Sequence, residues 1–175
     1  MAGTDKGKAI VGVIMGSDSD YPVMAEAVKM LEKFGIASEV EVVSAHRSPE
    51  RAAEYAKSAF GRGLKAIIVG AGGAAHLAGV VAAFTTLPVI GVPMGGTAVT
   101  GIDSLLSTVQ MPGGFPVGTM GIGKAGATNA GIYAAEIIGT SDAGIARKLA
   151  DYKKELDAAV AEKSARLKRE IAEKK

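Results

Sequence analysis

Apolar positions along this chain alternate between short unbroken runs and stretches that repeat every three to four residues. "AIVGVIM" (Ala9–Met15) is a continuous run rich in β-branched residues, which predicts a strand covered on both faces. After "GSDSDYP", Val23, Ala27, Met30, Leu31 and Phe34 recur at helical spacing, and Gly35 predicts the end of that helix. "EVEVV" (Glu39–Val43) predicts a second strand. Ser48-Pro49 predicts a helix start, an N-cap followed by proline at the first helical position, with the helix running to about Arg62. "KAIIVGAGGAAH" predicts a third strand and its loop, "LPVIGVP" a short fourth, and "PVGTMGIG" a fifth before a helix over Ala125–Ile138.

This rhythm predicts an α/β fold: a three-layer αβα sandwich around a doubly wound parallel sheet, flavodoxin-like, formed by residues 1–141. Residues 142–175 predict a C-terminal helical extension. Its apolar stripe (Ile145, Leu149, Tyr152, Leu156, Val160, Leu167, Ile171) is narrow and otherwise charged. A helix of this kind docks on its own domain or on a neighbouring subunit.

Composition narrows the function classes. Apolar residues make up 48% of the 175 and aromatics 5%, so Ala, Val, Ile, Leu and Met must build the core. The absence of cysteine excludes disulfides, thiolate nucleophiles and Cys-metal sites, and fits a cytoplasmic protein. Two histidines and no ligand-like spacing of carboxylates give no metal site. No apolar run reaches the ~18–20 residues of a membrane span, and the N-terminal lysines precede a strand signal, not that of a signal peptide. Residues 142–175 hold 10 basic and 7 acidic residues, a mixed-sign pattern unlike a nucleic-acid arm.

Two glycine motifs are decoys. "GAGGAA" (Gly70–Ala75) fits the dinucleotide pattern, but it follows the third strand, and no Asp or Glu occurs between Glu54 and Asp103 to hold a ribose. "GTMGIGKA" mimics a P-loop, yet Ala125 stands where magnesium binding needs Ser or Thr. It reads as a strand-to-helix turn. No G-x-S-x-G elbow is present.

Three loops leave the carboxyl ends of the predicted strands, where open α/β sheets bind ligands. In "GSDSD", Ser17 and Ser19 offer hydroxyls beside helix N–H groups that attract phosphate. Asp20 suits sugar hydroxyls, although Ser19 or Asp20 can equally serve as a helix cap. In "SAHRSP", Arg47 is a planar donor for phosphate or carboxylate. His46 belongs to the one side-chain type that titrates near neutrality unperturbed. In "GAGGAAH", small residues leave room for a flat ring, and His76 either orients a ligand or serves the helix start. The residues alone therefore predict a phosphorylated sugar carrying a planar group, with histidine as general acid/base.

Five words carry a resemblance: "MGSDSD" (Met15–Asp20), "VVSAHRSPER" (Val42–Arg51), "GAGGAAHLAG" (Gly70–Gly79), "GIDSLLSTVQMPGGFPVGT" (Gly101–Thr119) and "GKAGATNAG" (Gly123–Gly131). Over about residues 9–140 the chain resembles the N5-carboxyaminoimidazole ribonucleotide mutase family of purine biosynthesis (class I PurE). The resemblance implies transfer of a carboxylate from an exocyclic nitrogen to ring carbon C4, with no ATP, metal or organic cofactor. It implies His46 as acid/base, and Ser17, Asp20 and Arg47 at the ribotide. Ser19, Ser44, Ala45, Gly72 and His76 match secondary contacts. Carbon dioxide would be an enclosed intermediate and the protein a homo-octamer. One departure is Ala78, where the family usually has proline; its loss is expected to loosen that helix start. The alternatives are a sister carboxylase using free carbon dioxide, a non-catalytic flavodoxin-like nucleotide-binding module, and a related nicotinate-dinucleotide carboxylase. The "VQMPGGFPVGT" word looks like the mutase form.

Overall fold

The computed structural model describes residues 8–173; the first seven residues, part of the segment read above for a signal peptide, lie outside it. Five strands form one parallel sheet in the order β2-β1-β3-β4-β5. They are β1 (Val11–Met15), β2 (Ser38–Val42), β3 (Ala66–Ala71), β4 (Val89–Pro93) and β5 (Gly118–Thr119). Every residue of β1, β3 and β4 is buried, as their unbroken apolar runs predict. β2 alternates and lies at the edge, with Val40 and Val42 exposed.

The described residues form six α-helices: α1 (Tyr21–Phe34), α2 (Pro49–Arg62), α3 (Leu77–Phe84), α4 (Ile102–Val109) and α5 (Gly123–Gly139) around the sheet, and α6 (Ala143–Glu173), which packs on α1 and α5. On one face, Val11, Val13 and Met15 pack with Met24, Leu31 and Phe34 of α1 and with Ala127, Ala130 and Ala134 of α5. On the other, Ile14, Ile67 and Val69 pack with Tyr55 of α2 and with Leu77 and Val81 of α3. The alanines of α5 have a purpose: at Gly131 a Cβ would come 2.7 Å from the Ala27 carbonyl, so small residues let α1 and α5 approach closely.

Ser48 is the N-cap of α2, with Pro49 in its first turn and Arg62 at its end, as the sequence predicts; the cap itself differs in one detail. Ser48 makes no side-chain capping bond. Its Oγ instead accepts from Ser44 N–H at 3.2 Å and donates to Ser44 O at 3.1 Å, closing the loop on itself. The fifth strand shrinks to two residues, and the P-loop mimic is the turn that follows it.

α6 starts firmly. Asp142 Oδ1 accepts from the N–H groups of Gly144 and Ile145. Ile145 and Leu149 are buried, and Tyr152 meets Phe34 edge-on at 5.6 Å. Lys148 Nζ donates to Phe34 O at 2.7 Å. The apolar stripe then runs on into solvent: Leu156, Val160, Leu167 and Ile171 are all about half exposed or more.

Candidate active site

The strand order reverses between β1 and β3, and at such a switch point the loops leaving the carboxyl ends diverge to open a crevice. Here a cavity of about 800 Å³ occupies that place. The loop after β1 contributes Ser17, Ser19 and Asp20, the loop after β2 contributes Ser44, Ala45, His46 and Arg47, and the loop after β3 contributes Gly72 and His76. All nine residues singled out from the sequence therefore line one cavity.

The loops after β1 and β2 are held in shape by their own hydroxyls. Ser17 Oγ accepts from Ser19 N–H at 3.3 Å and from Ser19 Oγ–H at 2.8 Å, so Ser17 caps the short turn Asp18–Asp20. Asp20 stands at the N-cap of α1 yet makes no capping bond, which answers the alternative raised above. Its carboxyl is pushed up from the ordinary range mainly by burial, against a hydrogen bond from the Ser17 backbone, with Asp18 adding repulsion. Arg47 N–H donates to Ser44 Oγ at 3.2 Å, and its guanidinium reaches across to Gly16 O at 3.2 Å. That bond spans from the β2 loop to the β1 loop.

The β3 loop is fastened from behind by α4. Buried Ser104 accepts from Gly73 N–H at 2.8 Å, and Ser107 accepts from Ala75 N–H at 3.1 Å. Gly73 adopts a left-handed φ of 62°, which a side chain would strain. The loop ends in His76, whose Nδ1 lies 2.9 Å from His46 Nε2.

A family model described as AIR carboxylase matches residues 10–159. This chain belongs to the AIR carboxylase family. It is 59% identical over 145 residues to the N5-carboxyaminoimidazole ribonucleotide mutase of Vibrio parahaemolyticus, covering 83% of this chain and 90% of that one. Against the protein of the same name from Thermotoga maritima it is 57% identical over 157 residues, covering 90% and 91%. Against the Bacillus subtilis protein of that name it is 54% identical over 158 residues, covering 90% and 98%. PurE of Treponema denticola shares the fold with a TM-score of 0.82 at 27% identity, over 90% of this chain and 98% of that one.

The sequence reading of this AIR carboxylase family member missed a fourth loop. Met94, Gly95, Gly96 and Thr97 follow β4 and line the same cavity. The signal was available, because the rule that selected the first three loops applies equally to the carboxyl end of β4. Thr97 accepts from Gly101 N–H and donates to Asp103 at 2.8 Å, which holds the Asp103 carboxyl below its usual range. Among the described residues, no three His, Asp or Glu side chains are grouped to hold a metal, and no helix is long and apolar enough to cross a membrane.

Proposed function

We propose that this chain is an N5-carboxyaminoimidazole ribonucleotide mutase of purine biosynthesis. The observation that carries this reading is a single cavity in which an imidazole pair adjoins a small-residue loop, opposite serines and an arginine suited to a phosphate. Relatives more than half identical over most of the chain carry that name.

In this reading Arg47, Ser17 and Ser19 anchor the phosphate and Asp20 accepts from ribose hydroxyls. Ser44 and Ala45 support the loop that presents His46. His46 delivers a proton to the exocyclic nitrogen as the N–C bond of the carbamate breaks, which yields carbon dioxide and the free amine. C4 then forms its bond to carbon dioxide, and the now neutral His46 removes the C4 proton. One imidazole serves both halves, as acid in the first and base in the second. Holding carbon dioxide beside C4, against Gly72 and its neighbours, replaces a bimolecular capture by proximity worth effective molarities of ~10⁵ M or more. No step requires a cofactor.

The outer half of α6 is part of the same proposal. Its exposed stripe suits a neighbouring copy in a homo-oligomer, with residues 1–141 carrying the chemistry. Truncation after Leu156 should then lower the number of subunits measured by light scattering. An unchanged number of subunits refutes this role for α6.

The family's description favours a second reading, carboxylation of the unmodified aminoimidazole ribotide by free carbon dioxide. A paired assay without ATP or metal separates the two. Product from the N-carboxylated ribotide at low bicarbonate, with little from the unmodified ribotide at high bicarbonate, is the mutase result. The reverse pattern is the carboxylase result. No product in either leaves a nucleotide-binding module. Within the mutase reading, His46→Asn should abolish turnover and still bind ribotide, whereas Arg47→Ala should mainly weaken binding.

A further inference from the structure

The chain has two histidines, 30 positions apart in sequence, and the fold brings them into direct contact. His46 Nε2 and His76 Nδ1 are 2.9 Å apart, with ring planes at 81°. Among the described residues, no other side chain or backbone group hydrogen-bonds to either ring. A contact of this length needs one hydrogen between the two nitrogens, so one ring donates and the other accepts. The fold indicates which. His76 is the N-cap of α3, with its ring beside the positive end of an eight-residue helix. A helix N-terminus favours an accepting lone pair over a donated hydrogen, which makes His76 the acceptor. His46 lies in the turn Ala45–Arg47, before α2. The other charged groups lining the cavity are Asp20 and Arg47, of opposite sign.

We propose, resting on the mutase reading, that His76 is the positioning residue for His46. Neutral His76, protonated at Nε2, accepts the Nε2–H of His46 at its Nδ1. This bond fixes the ring and the tautomer of His46, as an orienting partner does for any catalytic imidazole. The proton that moves in the reaction is then the one on His46 Nδ1. It leaves for the carbamate nitrogen, and the neutral ring keeps Nε2–H on His76. The bare Nδ1 then takes the proton from C4. His46 ends as it began, and His76 never changes protonation. The Ser104 and Ser107 bonds to the β3 loop hold His76 at this distance.

Two histidines make the test clean. Long-range proton–nitrogen NMR on the whole protein, labelled at histidine nitrogen, reads both tautomers without substrate, and His46→Asn assigns them. Expected are two Nε2–H tautomers in the neutral protein, with His46 keeping its tautomer in His76→Asn and becoming a mixture in His76→Leu. The asparagine places an oxygen near the position of Nδ1 and so supplies the acceptor. With the N-carboxylated ribotide, His76→Leu should lose about 100-fold in kcat with KM within about threefold, and His76→Asn should recover most of the rate. The proposal is overturned by an Nδ1–H tautomer on His46 or by an unchanged tautomer in His76→Leu. It is equally overturned by a raised KM with kcat intact, which would make His76 a substrate contact. The NMR result stands even if the paired assay rejects the mutase reading, so the two failures are distinguishable.

Discussion

Ser104→Ala is the sharpest test of how the site is built. Ser104 is fully buried on α4 and its Oγ accepts from Gly73 N–H at 2.8 Å. Alanine removes the acceptor and leaves a backbone donor without its partner. A partly buried donor stranded in this way costs about 1–2 kcal/mol, while the volume lost is one oxygen and adds little. Urea unfolding with a slope of about 1–3 kcal/mol per molar should therefore move its midpoint down by roughly 1 M. Ser107 is only half-buried, and its bond to Ala75 N–H is longer at 3.1 Å, so Ser107→Ala should cost about 0.5–1.5 kcal/mol. Both hydroxyls fasten one loop, so the double variant should depart from additivity by at least about 0.5 kcal/mol. The functional readout is the fate of carbon dioxide. A loosened Gly72–Ala75 loop should release more unmodified ribotide per C4-carboxylated product than the wild type does. A stability loss below about 0.5 kcal/mol, the level of an ordinary surface change, with an unchanged product ratio, refutes the clamp.

Asp20→Asn should make the free protein more stable at neutral pH and weaken ribotide binding. The carboxyl's folded value lies above its ordinary one, so the native state holds the proton more tightly and stability falls as pH rises through that interval. The gain from asparagine should be complete above the interval and vanish below about pH 4, measured by urea unfolding across pH; a gain that grows toward acid contradicts the assignment. Ala78→Pro should add about 0.4–1 kcal/mol by restricting the unfolded chain. Ala78 is in the first turn of α3, and α1 already accommodates Pro22 in its first turn; a lower melting temperature would show that the buried site rejects the ring. Tyr55→Phe should cost about 1.5–3 kcal/mol. The Tyr55 hydroxyl donates to Glu39 at 2.7 Å, and burial with that carboxylate holds it far above the phenol range; thermal unfolding at neutral pH checks it.

What the sequence disclosed follows from how strongly each element is determined locally. β1, β3 and β4 are buried on both faces, so their apolar runs could not be mistaken for a helical repeat. α1 announced itself by its period and by Gly35 at its end, and α2 by Ser48-Pro49 at its start. α4 is different: eight residues between Gly101 and Gln110 give barely two turns of periodicity. Its serines face the β3 loop, a partner about thirty residues away that no local pattern reveals. Ser48 carried a sound N-cap signal, but a side-chain hydroxyl in a tight loop has nearer partners, and Ser44 took it. The stripe of α6 was legible in full, yet the pattern cannot say where the domain's own surface ends. Tyr152 is the last apolar position of the stripe that packs on it, and beyond it Glu155 still pairs with Lys33.

The histidine pair follows from topology. β2 and β3 are both neighbours of β1 in the sheet, one on each side. The loops that follow them therefore flank the β1 loop, and residues far apart in sequence face one another across it. That arrangement supplies three groups without long-range design: the serines proposed to anchor a phosphate in the middle, and an imidazole from each flank. It also explains a tension in the proposed chemistry. His46, Arg47, Gly72 and His76 are all exposed on the single chain, although carbon dioxide must not escape during transfer. The protein alone does not seal this crevice. Either the ribotide closes it from above once Arg47 and the serines hold its phosphate, or a second subunit does. In both cases retention of carbon dioxide depends on how firmly the β3 loop is held, and among the described residues the side chains that fasten its backbone are Ser104 and Ser107.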